Sequence, residues 1–181
     1  MLEAYVGEEN FRSGVRNPIN GRRYSSARTE DLWTAIQGAS GQPVLEIARS
    51  FTAQPGYPLL TANGANCRPQ RASPIAVTQR RFAMDDVSRT NESWSVPVVV
   101  RRGDGVERTV LAPAQSANVE LNAACGAYLV NAGQSGFFRV LYDANNFRQL
   151  TAGFAQLDDI DQLGLLLDYY AFGRSGDAPF S

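Results

Sequence analysis

The sequence predicts an α+β chain, an antiparallel β-sandwich flanked by short helices at both ends. Three observations lead there. Apolar residues recur at helical spacing through roughly the first 55 positions; from Tyr57 to about Asp143 the period changes to two, with β-branched runs broken by turn residues; after Asp143 helical spacing returns. The parts implied are 1–56, 57–143 and 144–181.

In the first part, Glu8, Glu9 and Asn10 favour a helix start, and Phe11 and Val15 sit one turn apart. Pro18 should kink or end that helix, because proline has no N–H to donate. Thr29 is the expected N-cap of a second helix, before Glu30 and Asp31, with Leu32, Trp33 and Ile36 on its buried side. Pro43 suits a first helical position; Val44, Ile47, Ala48 and Phe51 follow it as one stripe, and Pro55-Gly56 ends it.

The expected strands are Ile75–Gln79, Val96–Val100, Val106–Leu111, Val119–Leu121, Tyr128–Val130 and Phe137–Tyr142. Asp104-Gly105 is the clearest hairpin turn, since that dipeptide tolerates positive φ. Pro97 inside its strand implies an edge or a bulge. Beyond the strands, Asp143 is the expected N-cap of a helix carrying Phe147, Leu150 and Phe154. A second helix starts near Asp158 and is apolar nearly all round from Ile160 to Phe172. A helix of that kind is normally covered on every side, so exposed parts of 160–172 should drive self-association or fray.

Composition excludes most catalytic devices. There is no histidine and no lysine, so all 17 basic residues are arginine. Without imidazole there is no Ser-His-Asp or Cys-His pair and none of the usual histidine ligands of a catalytic zinc. Without lysine there is no Schiff base and no Walker-type loop. The expected sets of catalytic, cofactor-binding and metal-ligating residues are therefore all none. A net charge of −1 argues against a nucleic-acid partner, and Arg22-Arg23, Arg80-Arg81 and Arg101-Arg102 are expected on solvated faces. No run reaches the ~20 apolar residues of a membrane span, so a soluble chain is expected, its compartment undetermined between cytoplasm and periplasm. Cys67 and Cys125, far apart and outside any C-x-x-C spacing, are expected to be ordinary thiols.

Carboxylate chemistry survives the count. Asp85-Asp86 with Glu92, and Trp94 as an aromatic platform, are what a glycosidase-like acid and base pair would draw on. Asp158, Asp159 and Asp161 form the densest acidic set, but an EF-hand would place glycine and glutamate where Leu163 and Tyr169 stand, so they are expected to complement a helix dipole. Gln134-Ser135-Gly136 fails as a nucleophile elbow because Phe137 follows.

Read in order, several strings resemble the post-active-site region of the gluzincin zinc aminopeptidases, the family of aminopeptidase N and the puromycin-sensitive and endoplasmic-reticulum aminopeptidases. They are Met1–Tyr5 with Gly7–Phe11 and Gly14; Thr29–Trp33; Ser40–Val44; Phe51–Pro58; Gln79–Phe82 with Trp94–Val98; and Asn131–Asp143. The resemblance implies the helical tail of a catalytic domain, a β-sandwich domain bridging it to a cap, and the first helices of a carboxyl-terminal helical domain. It implies a parent enzyme that uses zinc to release amino-terminal residues from peptides. The H-E-x-x-H helix, the downstream glutamate ligand and the catalytic tyrosine of that family are not in this sequence, and Tyr5 is expected to be a packed helix aromatic. The chain itself should then be non-catalytic, with the remaining domains of the parent as its partners. Two other readings are a free-standing sandwich module that binds a protein partner and a carboxylate-based hydrolase, which would need a cleft.

Overall fold

The computed structural model describes residues 1–21, 28–64, 73–113, 116–121 and 125–179, which fall into two compact units, Met1–Pro55 and Gly56–Ser181. The first holds helices α1 (Leu2–Val6), α2 (Glu8–Gly21), α3 (Thr29–Ser40) and α4 (Val44–Thr52). Gly7, at φ 86°, ends α1, and its N–H donates to the Glu3 carbonyl at 2.8 Å. Val6, Ile36 and Val44 form the buried centre, with Phe11, Val15, Leu32 and Trp33 packed against it, as their helical spacing predicts. A Cβ at Gly14 would lie 2.5 Å from the Cα of Ile36, so this glycine lets α2 and α3 cross backbone to backbone.

Two helix ends depart from expectation. The N-cap of α3 is Arg28 rather than Thr29; the Asp31 carboxylate accepts from the Arg28 N–H at 2.9 Å and so satisfies the turn from inside the helix. Helix α2 does not end at Pro18 but continues to Gly21.

The second unit is built on two sheets. One has the order β5-β2-β1-β7, from β1 (Pro58–Gly64), β2 (Ser73–Arg81), β5 (Ala117–Leu121) and β7 (Arg139–Tyr142); the other has the order β4-β3-β6, from β3 (Val96–Arg102), β4 (Gly105–Leu111) and β6 (Tyr128–Val130). Their facing surfaces bury Leu60, Ile75, Val77, Val96, Val98, Val100 and Val140. Helices α5 (Ala144–Ala152) and α6 (Asp159–Ser175), joined through a 3-10 turn at Phe154–Gln156, complete the unit. Ala171 and Phe172 of α6 pack on Leu59 and Phe82, so the larger sheet is covered on its outer side as well.

That second cover explains the strand the periodicity misses. β1 is buried at Pro58, Leu59 and Leu60 in succession, because it lies inside the sheet with apolar partners on both faces, and a strand buried on both faces shows no alternation. It pairs antiparallel with β2 and parallel with β7, so the sandwich is not wholly antiparallel: Leu60 sits opposite Gln79 on one side and Val140 on the other. The sheets are also joined by polar groups. The Gln79 amide accepts from the Trp94 N–H at 2.9 Å and donates to the Trp94 carbonyl at 2.7 Å.

The hairpin between β3 and β4 sits one residue earlier than its sequence suggests. Arg102 pairs with Gly105, which leaves Gly103 and Asp104 as the two-residue turn, and Gly103 alone carries the positive φ, 56°. Glycine at the first central position is the type II′ preference. Pro97 lies opposite Val110 of β4, whereas β6 reaches only Val100, Arg101 and Arg102; the proline thus sits where β3 is locally an edge. β7 begins at Arg139, and Phe137 is left exposed in the loop before it.

Candidate functional site

The densest polar chemistry in the second unit lies where α5 and α6 meet the sheets, and each part of it is a closed clamp. Asp143, between β7 and α5, is the N-cap the sequence indicates: one carboxylate oxygen accepts from the amides of Asn145 at 3.0 Å and Asn146 at 2.9 Å. The other accepts from the Gly64 amide at 3.0 Å and the Tyr128 hydroxyl at 2.6 Å. Burial works against its charge, but the Tyr128 hydroxyl and the surrounding amides outweigh that and hold its carboxyl below the usual range. Burial, reinforced by Asp143, pushes the Tyr128 phenol up. Asn146 closes the same corner, pairing its amide with the Tyr128 N–H at 2.9 Å and carbonyl at 2.8 Å.

Three arginine and aspartate sets hold α6. Arg139 donates to Asp168 at 2.9 Å and to the Tyr57 hydroxyl at 3.2 Å, and the Val140 amide donates to the second Asp168 oxygen at 2.9 Å. Burial pushes the Asp168 carboxyl up to about 6 in spite of both donors. Arg101 reaches Asp158 at 2.9 Å and Asp161 at 2.7 Å, and the fully buried Asp161 also accepts from the Gly133 amide at 2.8 Å. At the far end, Asp177 is met by Arg80 at 2.5 Å and Arg89 at 3.1 Å. Arg102 is buried at 2% exposure with its guanidinium over the Tyr128 ring.

Burial of Arg102 corrects the solvated reading for that residue, whereas Arg80 and Arg101 remain partly exposed, 39% and 32%, while pairing with aspartates; Arg22-Arg23 lies outside the described residues. The aspartates at 158 and 161 do more than complement a dipole, since both are spent on Arg101. Sequence spacing misses the clamps because their partners stand 57 and 60 positions apart for Arg101 and 97 for Arg80. The string Asn131–Tyr142 is what seats α6. Asn131 and Gln134 take φ of 64° and 50°, and the Asn131 side chain accepts from the Gly136 amide at 2.7 Å, which fixes a loop that presents Gln134 against Gly164 of the helix.

The candidate hydrolase carboxylates are not brought into such an arrangement. Asp85 accepts from the Ser88 amide at 2.8 Å and Glu92 from Thr90 and Arg81, and these partners hold both carboxyls below the usual range, the opposite of what a general acid needs. Trp94 is fully buried and offers no face to a sugar. Among the described residues no three His, Cys, Asp or Glu side chains are grouped as metal ligands, so these residues do not fit a zinc site. No helix among them is long and apolar enough to cross a membrane. Tyr5 donates to the Gln42 side chain at 2.7 Å within the first unit. Cys125 is disulfide-bonded, which corrects its reading as a thiol; Cys67 lies outside the described residues.

No family model matches the chain. Curated proteins do. It is 37% identical over 172 residues to the probable aminopeptidase 1 of Saccharolobus solfataricus, covering 95% of this chain and 20% of that protein. Against the tricorn protease-interacting factor F2 of Thermoplasma acidophilum it is 33% identical over 176 residues, covering 97% of this chain and 21% of the other. Against the probable M1 family aminopeptidase 1 of Encephalitozoon cuniculi it is 30% identical over 175 residues, with 96% and 19% covered. The chain thus spans about a fifth of the length of these relatives.

Proposed function

Because this chain is homologous along nearly its whole length to one stretch of the M1 family aminopeptidases, we propose that it is a non-catalytic structural segment of a zinc aminopeptidase that removes amino-terminal residues from peptides. In this reading residues 1–56 are the helical tail of the catalytic domain, 57–143 the sandwich domain and 144–181 the first helices of a carboxyl-terminal helical domain. The partners are the remaining domains of the parent. The observation that carries the reading is the coverage, 95% of this chain against 20% of the relative. The clamps support it in kind, because every charged group they use is committed to holding α5 and α6 on the sheets.

Zinc, when bound in such an enzyme, polarises the water that attacks the peptide bond. The residues here do not fit that metal, so its ligands would come from elsewhere in the parent. The reading is tested by the reading frame upstream of Met1 and by zinc titration. It expects an H-E-x-x-H codon string upstream, stoichiometric zinc on the longer product, and no stoichiometric zinc on the 181-residue chain. A zinc bound tightly by the chain alone would sink it.

A further inference from the structure

Where α6 meets β7 and the residue before β1, a cavity of about 280 Å³ has walls that include Tyr57, Gln134, Phe137, Arg139, Leu167 and Asp168. Three of these hold donors with nothing to donate to. The Tyr57 oxygen accepts from Arg139 Nε at 3.2 Å, so the phenol proton points away from the guanidinium, and no acceptor for it stands among the described residues. The Gln134 amide has a fixed orientation: the Gly136 N–H donates to Asn131 Oδ1, which turns Asn131 Nδ2 towards Gln134 Oε1 at 3.2 Å. The Gln134 NH2 is thereby left without an acceptor among the described residues. Arg139 gives Nη1 to Asp168 and to the Leu167 carbonyl, and Nη2 meets no acceptor among them either. The acceptors, by contrast, are occupied. One Asp168 oxygen takes Arg139 and the other the Val140 amide.

The mouth of the cavity is apolar. Phe137 is 61% exposed with its ring 5.4 Å from that of Tyr57, and Leu167 is 52% exposed. A few convergent polar groups beside an aromatic wall are the usual elements of a small-ligand site, and donors that hold water in the free protein can exchange it for a ligand's acceptor. Charge narrows the ligand class. Arg139 and Asp168 balance each other across 2.9 Å, so the cavity offers donors without a spare cation for a carboxylate. We propose that this cavity binds an uncharged amide carrying an aromatic group, that is, an aromatic residue inside a peptide. Its carbonyl oxygen accepts from the Tyr57 hydroxyl and the Gln134 amide, and its ring stacks on Phe137. Such binding needs no zinc, so it stands or falls apart from the aminopeptidase reading.

The experiment is titration of the isotope-labelled 181-residue chain with N-acetylphenylalaninamide, read on the backbone amides of Gly136, Phe137, Arg139 and Leu167. A ligand of this size should give saturable shifts there with a dissociation constant of about 1 mM. Tyr57→Phe keeps the ring and removes the hydroxyl, and Phe137→Ala removes the exposed ring; each should weaken binding roughly fivefold. The melting temperatures of both variants are compared with the wild type, and the variant that keeps its fold carries the test. N-acetylphenylalanine, which has the same ring and a free carboxylate, should bind more weakly than the amide. The proposal is overturned by the absence of saturable shifts at these amides up to about 20 mM amide. It is overturned equally by unchanged affinity in a folded variant, or by tighter binding of the carboxylate, which would make the cavity an anion site.

Discussion

Asp168 shows how one residue can hold an element in place at an energetic cost. Its carboxyl titrates at about 6 in the fold, above the ~3.9 of an unperturbed aspartate, because burial outweighs the donors from Val140 and Arg139. The native state therefore keeps a proton that the unfolded chain releases. Its contribution to stability is complete below about pH 4 and is lost as pH rises through 6, a swing of roughly 2 to 3 kcal/mol. Asp168→Asn removes the titration. The stability of the variant relative to the wild type should rise by about 2 kcal/mol between pH 4 and pH 7 in urea melts; a difference that stays flat with pH would contradict the assignment. None of this was legible in sequence, where Asp168 is one more acidic residue on an apolar helix, because its partners arrive from a strand 28 and 29 positions away.

The elements were legible where burial is one-sided and obscure where it is not. The stripes of α3 and α4 and the alternation of β2 announce themselves because one face of each meets a core; β1, enclosed on both sides, does not, whereas β6 is legible although all three of its residues are buried. The Asp104-Gly105 hairpin is a finer case. The dipeptide marks the correct turn, but the residue that needs positive φ is Gly103. Gly103→Val should cost about 1 kcal/mol or more, whereas Gly105→Val, on an extended strand residue, should cost less. If the thermal melts rank the two the other way, the turn is built differently. In the first unit Gly14→Ala sets two effects against each other. Helix propensity favours alanine by about 1 kcal/mol, but the new Cβ would meet the backbone of Ile36, and overpacking costs typically ~1 to 3 kcal/mol. Backbone has less room to yield than a side-chain end, so hydrogen exchange in residues 2–52 should speed up; unchanged protection would show that the helices move apart without loss.

For the whole molecule, the absence of histidine and the order of the resembling strings carried most of what sequence could say. The missing part was how the last helices are fixed. The strings that resemble the aminopeptidases include the loop and strand that clamp α6, and Asn131–Tyr142 does so through backbone conformation and through contacts to groups remote in sequence. The function proposed for this chain is to support a catalyst without being one itself. Its most direct test is hydrolysis of an aminoacyl arylamide in the presence of zinc, measured side by side on the purified 181-residue chain and on the longer product of its reading frame. No turnover above buffer is expected for the chain and chelator-sensitive turnover for the longer product; turnover that co-purifies with the chain alone would contradict the proposed function.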